Sequence, residues 1–142
     1  MAKPPLISVV DDDESVRESL SGLLRAVGFA AAEFPSAEEF LRSAHAGETD
    51  CLILDVRMPG MNGLELQRHL AATQVEIPII FITAHNGDEG LRSAALDGGA
   101  TAYLSKPLSE DTVLNAVHAA LHSKWSAADN VTPVSTRQGG DK

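Results

Sequence analysis

The sequence predicts a doubly wound α/β domain, a parallel sheet with helices on both faces. Three observations carry that prediction: short apolar runs alternate with helical stripes five times over, the connections are short, and several runs empty directly into polar residues. Leu6–Val10 is a β-branched run that stops at Asp11, Asp12 and Asp13, as a buried parallel strand does. From Glu14, Val16, Leu20, Leu23, Leu24 and Val27 form the stripe of a first helix, with acids at its start and Gly28 placed to end it. Phe29–Phe34 is a weak second strand. Ser36 and Glu39 form a capping box ahead of a second helix carrying Ala37, Phe40, Leu41 and Ala44. Cys51–Leu54 is a third strand running into Asp55. Pro59-Gly60 and Asn62-Gly63 mark the loop behind it, and Leu64–Ala72 forms a third helix. Pro78 stands at the head of the fourth strand, Ile79–Ile82, where a missing N–H is tolerated, and the run ends at Thr83. Asp88–Leu96 forms a fourth helix closed by Gly98-Gly99, and Thr101–Ser105 a fifth strand. Val113, Leu114, Val117 and Leu121 are the buried stripe of a last helix started by Ser109.

A chain of 142 residues with 44% hydrophobic and 22% charged residues can bury one real core, so one domain and one site are expected. The domain is expected over residues 5–124. Residues 125–142, rich in Ser, Thr, Gly and Asp, are expected to be a disordered tail. The formal net charge of -9 argues against direct binding of nucleic acid or an anionic membrane, which both depend on clustered Lys and Arg. The single cysteine, Cys51, lies in an apolar run and reads as core filler in a reducing compartment. Residues 1–10 are too short and too broken by Ser8 for a signal-peptide core, and no segment approaches membrane-spanning length. The expectation is a soluble, cytoplasmic protein.

In an open parallel sheet, ligands bind beyond the carboxyl ends of the strands, and those ends carry Asp11, Asp12, Asp55, Thr83 and Lys106. Three carboxylates in one crevice repel one another unless a cation sits between them, and hard oxygen ligands suit Mg²⁺ or Mn²⁺. A lysine and a hydroxyl beside such acids describe a phosphoryl pocket, in which a carboxylate attacks phosphorus and becomes an aspartyl phosphate. Each piece alone has a plainer reading. Asp13 and Glu14 serve equally well as capping residues, Thr83 as a strand-end threonine and Lys106 as a solvated lysine; the site rests on their joint position.

Through Val9-Val10-Asp11-Asp12, Leu54-Asp55-Val56-Arg57-Met58-Pro59-Gly60-Met61-Asn62-Gly63, Ile82-Thr83-Ala84 and Tyr103-Leu104-Ser105-Lys106-Pro107, the chain resembles the response-regulator receiver domains of bacterial two-component systems. The match covers about residues 6–122. The resemblance implies a flavodoxin-like (βα)5 fold with strand order 2-1-3-4-5. It implies Asp55 as phosphoacceptor, and Asp11, Asp12, Asp55 and the backbone carbonyl of Arg57 as Mg²⁺ ligands. Thr83 and Lys106 would bind phosphoryl oxygens, small Ala84 would leave room for Thr83 to move, and Tyr103 would rotate to report the state. Arg57 and His85 would tune the lifetime of the acyl phosphate. The Lys106-Pro107 bond is expected to be cis.

The implied partners are a sensor histidine kinase or phosphotransfer protein, and a downstream protein on the face made by the fourth helix, fifth strand and fifth helix. A phosphorylation-dependent homodimer and a slow self-catalysed dephosphorylation are compatible with this. The expected protein is a switch rather than a turnover enzyme. Its main rival is the receiver half of a transcription factor whose DNA-binding domain is missing from this chain. A metal-dependent phosphohydrolase would need an acid-base carboxylate close behind the nucleophile, where Arg57 stands; a phosphorylation-independent scaffold would have lost an acid, the Thr or the Lys. Leu108 departs from the Phe more usual after the Lys-Pro pair, and the stretch around Asn86-Gly87 is slightly long. His118 and His122 lack a third ligand at motif spacing and read as surface residues of a partner face. Nothing decides between packing and contact roles for Trp125.

Overall fold

The computed structural model describes residues 3–84 and 89–129. Its elements follow the expected alternation: β1 (Leu6–Val10), α1 (Glu14–Ala26), β2 (Ala30–Phe34), α2 (Ala37–Arg42), β3 (Cys51–Asp55), α3 (Gly63–Ala72), β4 (Ile79–Thr83), α4 (Glu89–Asp97), β5 (Ala102–Ser105) and α5 (Glu110–Asp129). A short 3₁₀ turn, Ala44–Glu48, follows α2. All pairings are parallel and the strand order is β2-β1-β3-β4-β5.

The alternation of side chains along each strand divides the core in two. Leu52 and Leu54 of β3 and Phe81 of β4 join Phe40, Leu64, Leu66 and Leu70 beneath α2, α3 and α4. Cys51 and Ile53, with Ile7, Val9, Ile80 and Ile82, meet Leu20, Leu24, Val113, Val117 and Leu121 of α1 and α5. Burial on both faces explains why β1, β3 and β4 read as nearly unbroken apolar runs. Cys51 is fully buried in this layer, as its apolar surroundings predict.

Helix ends are fixed by specific contacts. Asp13 caps α1, accepting from the backbone N–H groups of Ser15 and Val16. Ser109 Oγ accepts from Thr112 N at 3.1 Å at the start of α5. Three helices close with the same pair of backbone hydrogen bonds. Gly28, Gly99 and Gln74 take the left-handed position, and Phe29, Ala100 and Val75 donate back to Leu24, Ala95 and Leu70.

Several boundaries depart from expectation. The second helix ends at Arg42, because Ser43 is extended and its side chain caps the 3₁₀ turn at His45; Ala44 therefore belongs to the turn. Ser36 accepts from Glu39 N, but the reciprocal capping box is found at α3, between Asn62 and Glu65, where only a turn was expected. The last helix continues to Asp129, past Lys124, so residues 125–129 of the expected tail are helical. The rest of that tail, 130–142, lies outside the described residues. No helix among the described residues is long and apolar enough to cross a membrane.

Candidate functional site

Strands β1 and β3 are neighbours from which the chain departs in opposite directions, and the crevice between their carboxyl ends is the natural ligand position of such a sheet. Asp11 follows β1 and Asp55 ends β3, so adjacency in the sheet brings the two acids together. Both are buried, whereas Asp12 is exposed at the crevice mouth. Carboxylate oxygens of Asp11, Asp12 and Asp55 lie within 4.8 Å of one another, a spacing that one cation spans.

Lys106 follows β5 and reaches across the end of β4. Its Nζ is 3.0 Å from Asp11 Oδ2 and 3.7 Å from Asp55 Oδ2. The Lys106 backbone N–H donates to the carbonyl of Thr83 at 2.7 Å, which ties the ends of β4 and β5 together. Thr83 is buried, and Ala84 after it is exposed. The Lys106-Pro107 bond is cis, as expected. Arg57 is exposed in the loop after β3, and its N–H donates to Asp55 Oδ1 at 3.2 Å. Tyr103 packs against the α2–α4 side of the core with its hydroxyl oxygen buried, 6.3 Å from the Phe81 ring, while the Arg92 guanidinium lies 6.0 Å from its centroid. His85 lies outside the described residues.

The electrostatics match this geometry. Burial, and next the charge of Asp11, push the Asp55 carboxyl up from 3.8 to about 6, against the opposing pull of Lys106 and the Arg57 N–H. Burial works to lower the Lys106 ammonium, but its contacts with Asp11 and Asp55 outweigh that and raise it. One ammonium therefore leaves the repulsion among the acids uncompensated. A divalent cation of oxygen preference fits what remains.

Positioning contacts around the site were not apparent from residue type. Arg17 Nη1 donates to the Asp11 carbonyl at 2.7 Å, and Glu38 Oε2 accepts from Met61 N at 2.9 Å, tethering the loop after Asp55 to α2. Gly63 lies so close to β3 that a Cβ there would stand 2.5 Å from the Asp55 carbonyl oxygen. Gly63 belonged to a motif run and its demand for space was readable in principle. The Arg17 and Glu38 contacts involve backbone groups, which side-chain patterns do not reveal.

Taken with the strand order, this places the molecule among flavodoxin-like α/β domains whose switch-point crevice holds acids and a lysine. The family model for the response regulator receiver domain matches residues 7–118, and the chain belongs to that family of two-component signalling switches. It is 48% identical over 115 residues to nodulation protein W of Bradyrhizobium diazoefficiens, covering 81% of this chain and 50% of that protein. It is 40% identical over 115 residues to transcriptional regulatory protein FixJ of Azorhizobium caulinodans, covering 81% and 54%. A solved response regulator receiver protein from Burkholderia phymatum is 47% identical, with a TM-score of 0.72, covering 83% of this chain and 95% of that one. The chain thus spans about half the length of these two curated relatives. Receiver domains of response regulators are phosphorylated by histidine kinases, and their function is switching in signal transduction.

Proposed function

We propose that Asp55 is the phosphoacceptor of a metal-dependent receiver switch. The observation that carries this reading is the Lys106 ammonium, which reaches from the end of β5 across β4 to Asp11 and Asp55 at the ends of the neighbouring strands β1 and β3. An Asp55 oxygen attacks phosphorus of a phosphohistidine in line; the new O–P bond forms as the P–N bond breaks and its electron pair returns to the imidazole. A carboxyl near 6 is mostly ionised at pH 7.5, and its burial leaves it poorly solvated and reactive. Asp11, Asp12, Asp55 and the Arg57 carbonyl would hold Mg²⁺ (or Mn²⁺), which when bound offsets charge on the phosphoryl oxygens.

Lys106 pairs with one phosphoryl oxygen and the Thr83 hydroxyl donates to another. Exposed Ala84 leaves room for Thr83 to move inward, and Tyr103 follows, altering the α4-β5-α5 face. Arg57 and His85 flank the phosphoryl group and set its lifetime, including any slow self-catalysed loss to water. The donor is a sensor histidine kinase or phosphotransfer protein, and the output is a protein bound on the α4-β5-α5 face or a phosphorylation-dependent homodimer, in the cytoplasm. The half-length match to a transcriptional regulatory protein favours a second reading of the output: this receiver governs a DNA-binding half carried by a longer protein.

Incubation with acetyl phosphate and Mg²⁺ tests the site. A hydroxylamine-labile phosphoryl adduct in the intact mass, lost with Asp55→Asn or chelator, is the expected result. An adduct that survives Asp55→Asn would refute the assignment.

A further inference from the structure

The carboxylate of Asp12 is the exposed one of the three acids, so its place at the crevice depends on the backbone that carries it. Both peptide groups flanking it are held. The peptide after Asp12 is fixed through its N–H, which donates to Asp11 Oδ1 at 2.8 Å. The peptide before Asp12 is fixed through its carbonyl, that of Asp11, which accepts from Arg17 Nη1 at 2.7 Å. With both planes held, φ and ψ of Asp12 have little freedom, and its Cα–Cβ bond is aimed.

Arg17 can do this because it is itself positioned at both ends. Its backbone N–H opens α1 by donating to the Asp13 carbonyl at 3.1 Å. Its side chain folds back from there, with Nε 3.8 Å from Glu33 Oε1 and a side-chain exposure of 15%. Glu33 lies on β2 opposite Val9 of β1, and the next residue, Phe34, accepts from Asp11 N at 3.1 Å. The sheet therefore places the anchor beside the peptide to be gripped. A guanidinium presents donors in a rigid fork and serves carbonyl and carboxylate together; a lysine ammonium has no such fork.

We propose that Arg17, held by Glu33, is a positioning residue for the metal-binding acids, acting through the Asp11–Asp12 peptide to set where the Asp12 carboxylate stands. This rests on the reading of Asp11, Asp12 and Asp55 as cation ligands. Residues that orient metal ligands typically alter affinity 10- to 100-fold when removed, and a backbone contact to one ligand of three belongs at the lower end, about tenfold.

The test is the affinity of the purified chain for Mn²⁺ alone, read from the electron paramagnetic resonance signal of the free ion. Arg17→Ala is expected to weaken binding about tenfold and Glu33→Gln a few-fold. In an Asp12→Asn background, which keeps Asp11 and Asp55 as ligands, Arg17→Ala should change affinity by less than about twofold, because the group it acts through is gone. A general loss of structure would weaken binding equally in both backgrounds, and that result overturns the proposal. So does Arg17→Ala binding within about twofold of the unsubstituted chain. If Arg17→Ala does not fold, Glu33→Gln decides, and unchanged affinity there counts against the anchor. Failure of the unsubstituted chain to bind Mn²⁺ at all is a different outcome, and it removes the metal reading itself.

Discussion

Asp55→Asn should stabilise the metal-free protein at neutral pH while abolishing the proposed chemistry. Folding moves the Asp55 carboxyl from 3.8 to about 6, first by burial and next by the charge of Asp11, so the native state holds this proton more tightly than the unfolded chain. Between those values the native state binds more protons, and stability falls as pH rises. The displacement corresponds to about 3 kcal/mol once pH exceeds both values, with 1.36 kcal/mol per unit. Asparagine is nearly isosteric, carries no charge, and keeps an oxygen for the Arg57 N–H now bound at 3.2 Å. Its advantage over the natural chain should therefore be about 2–3 kcal/mol at pH 7.5, about 1 kcal/mol near pH 4.5, and nothing below about pH 3.5. Urea unfolding in chelator across this range, for both chains, measures the difference directly. Adding Mg²⁺ should narrow the gap by stabilising the natural chain preferentially. An advantage independent of pH would locate the effect in packing rather than charge, and a destabilised asparagine variant at neutral pH would refute the electrostatic account of the pocket.

Two further substitutions test the scaffold. Gly63→Ala places a Cβ 2.5 Å from the Asp55 carbonyl and 3.0 Å from Phe81 Cε1, so backbone must shift; a loss of about 1–3 kcal/mol in urea unfolding and slower phosphorylation by acetyl phosphate are expected. Gln74→Gly relieves a non-glycine residue at φ 62° in the cap of α3, and should raise stability by about 0.5–1 kcal/mol without altering Mn²⁺ affinity.

What was legible in the sequence follows from burial. Strands β1, β3 and β4 are covered on both faces, so they announce themselves as apolar runs, and the acids that end β1 and β3 mark the crevice. Strand β2 lies at the sheet edge with Ala30, Ala31 and Ala32 only partly buried, and its weak pattern is the physical consequence. Apolar Phe29 extends the β2 pattern one residue toward the N-terminus, yet its N–H closes α1 by donating to the Leu24 carbonyl. The end of α5 is hidden because Ser126 and Asp129 weigh toward coil in composition, although Ala127 and Ala128 favour helix continuation. The strand order came from family resemblance, since alternation alone fixes handedness and layers but not sequence order across the sheet. Distances such as the 3.0 Å from Lys106 to Asp11 depend on how loops after separate strands converge, and no local pattern encodes them.

The charge arrangement also constrains the proposed switch. Three carboxylates against one ammonium give the crevice a net negative charge, and a phosphoryl donor brings more of the same sign to Asp55. Part of that repulsion is already visible in the raised Asp55 carboxyl. If Lys106 pairs with a phosphoryl oxygen as proposed, its 3.0 Å contact with Asp11 is either shared or given up. A buried carboxylate left without a partner is unfavourable, and a cation held by Asp11, Asp12 and Asp55 would offset that cost. On the proposed reading, the Arg17 grip on the Asp11 carbonyl would therefore bear on Lys106 as well as on the metal, because both meet the same acids.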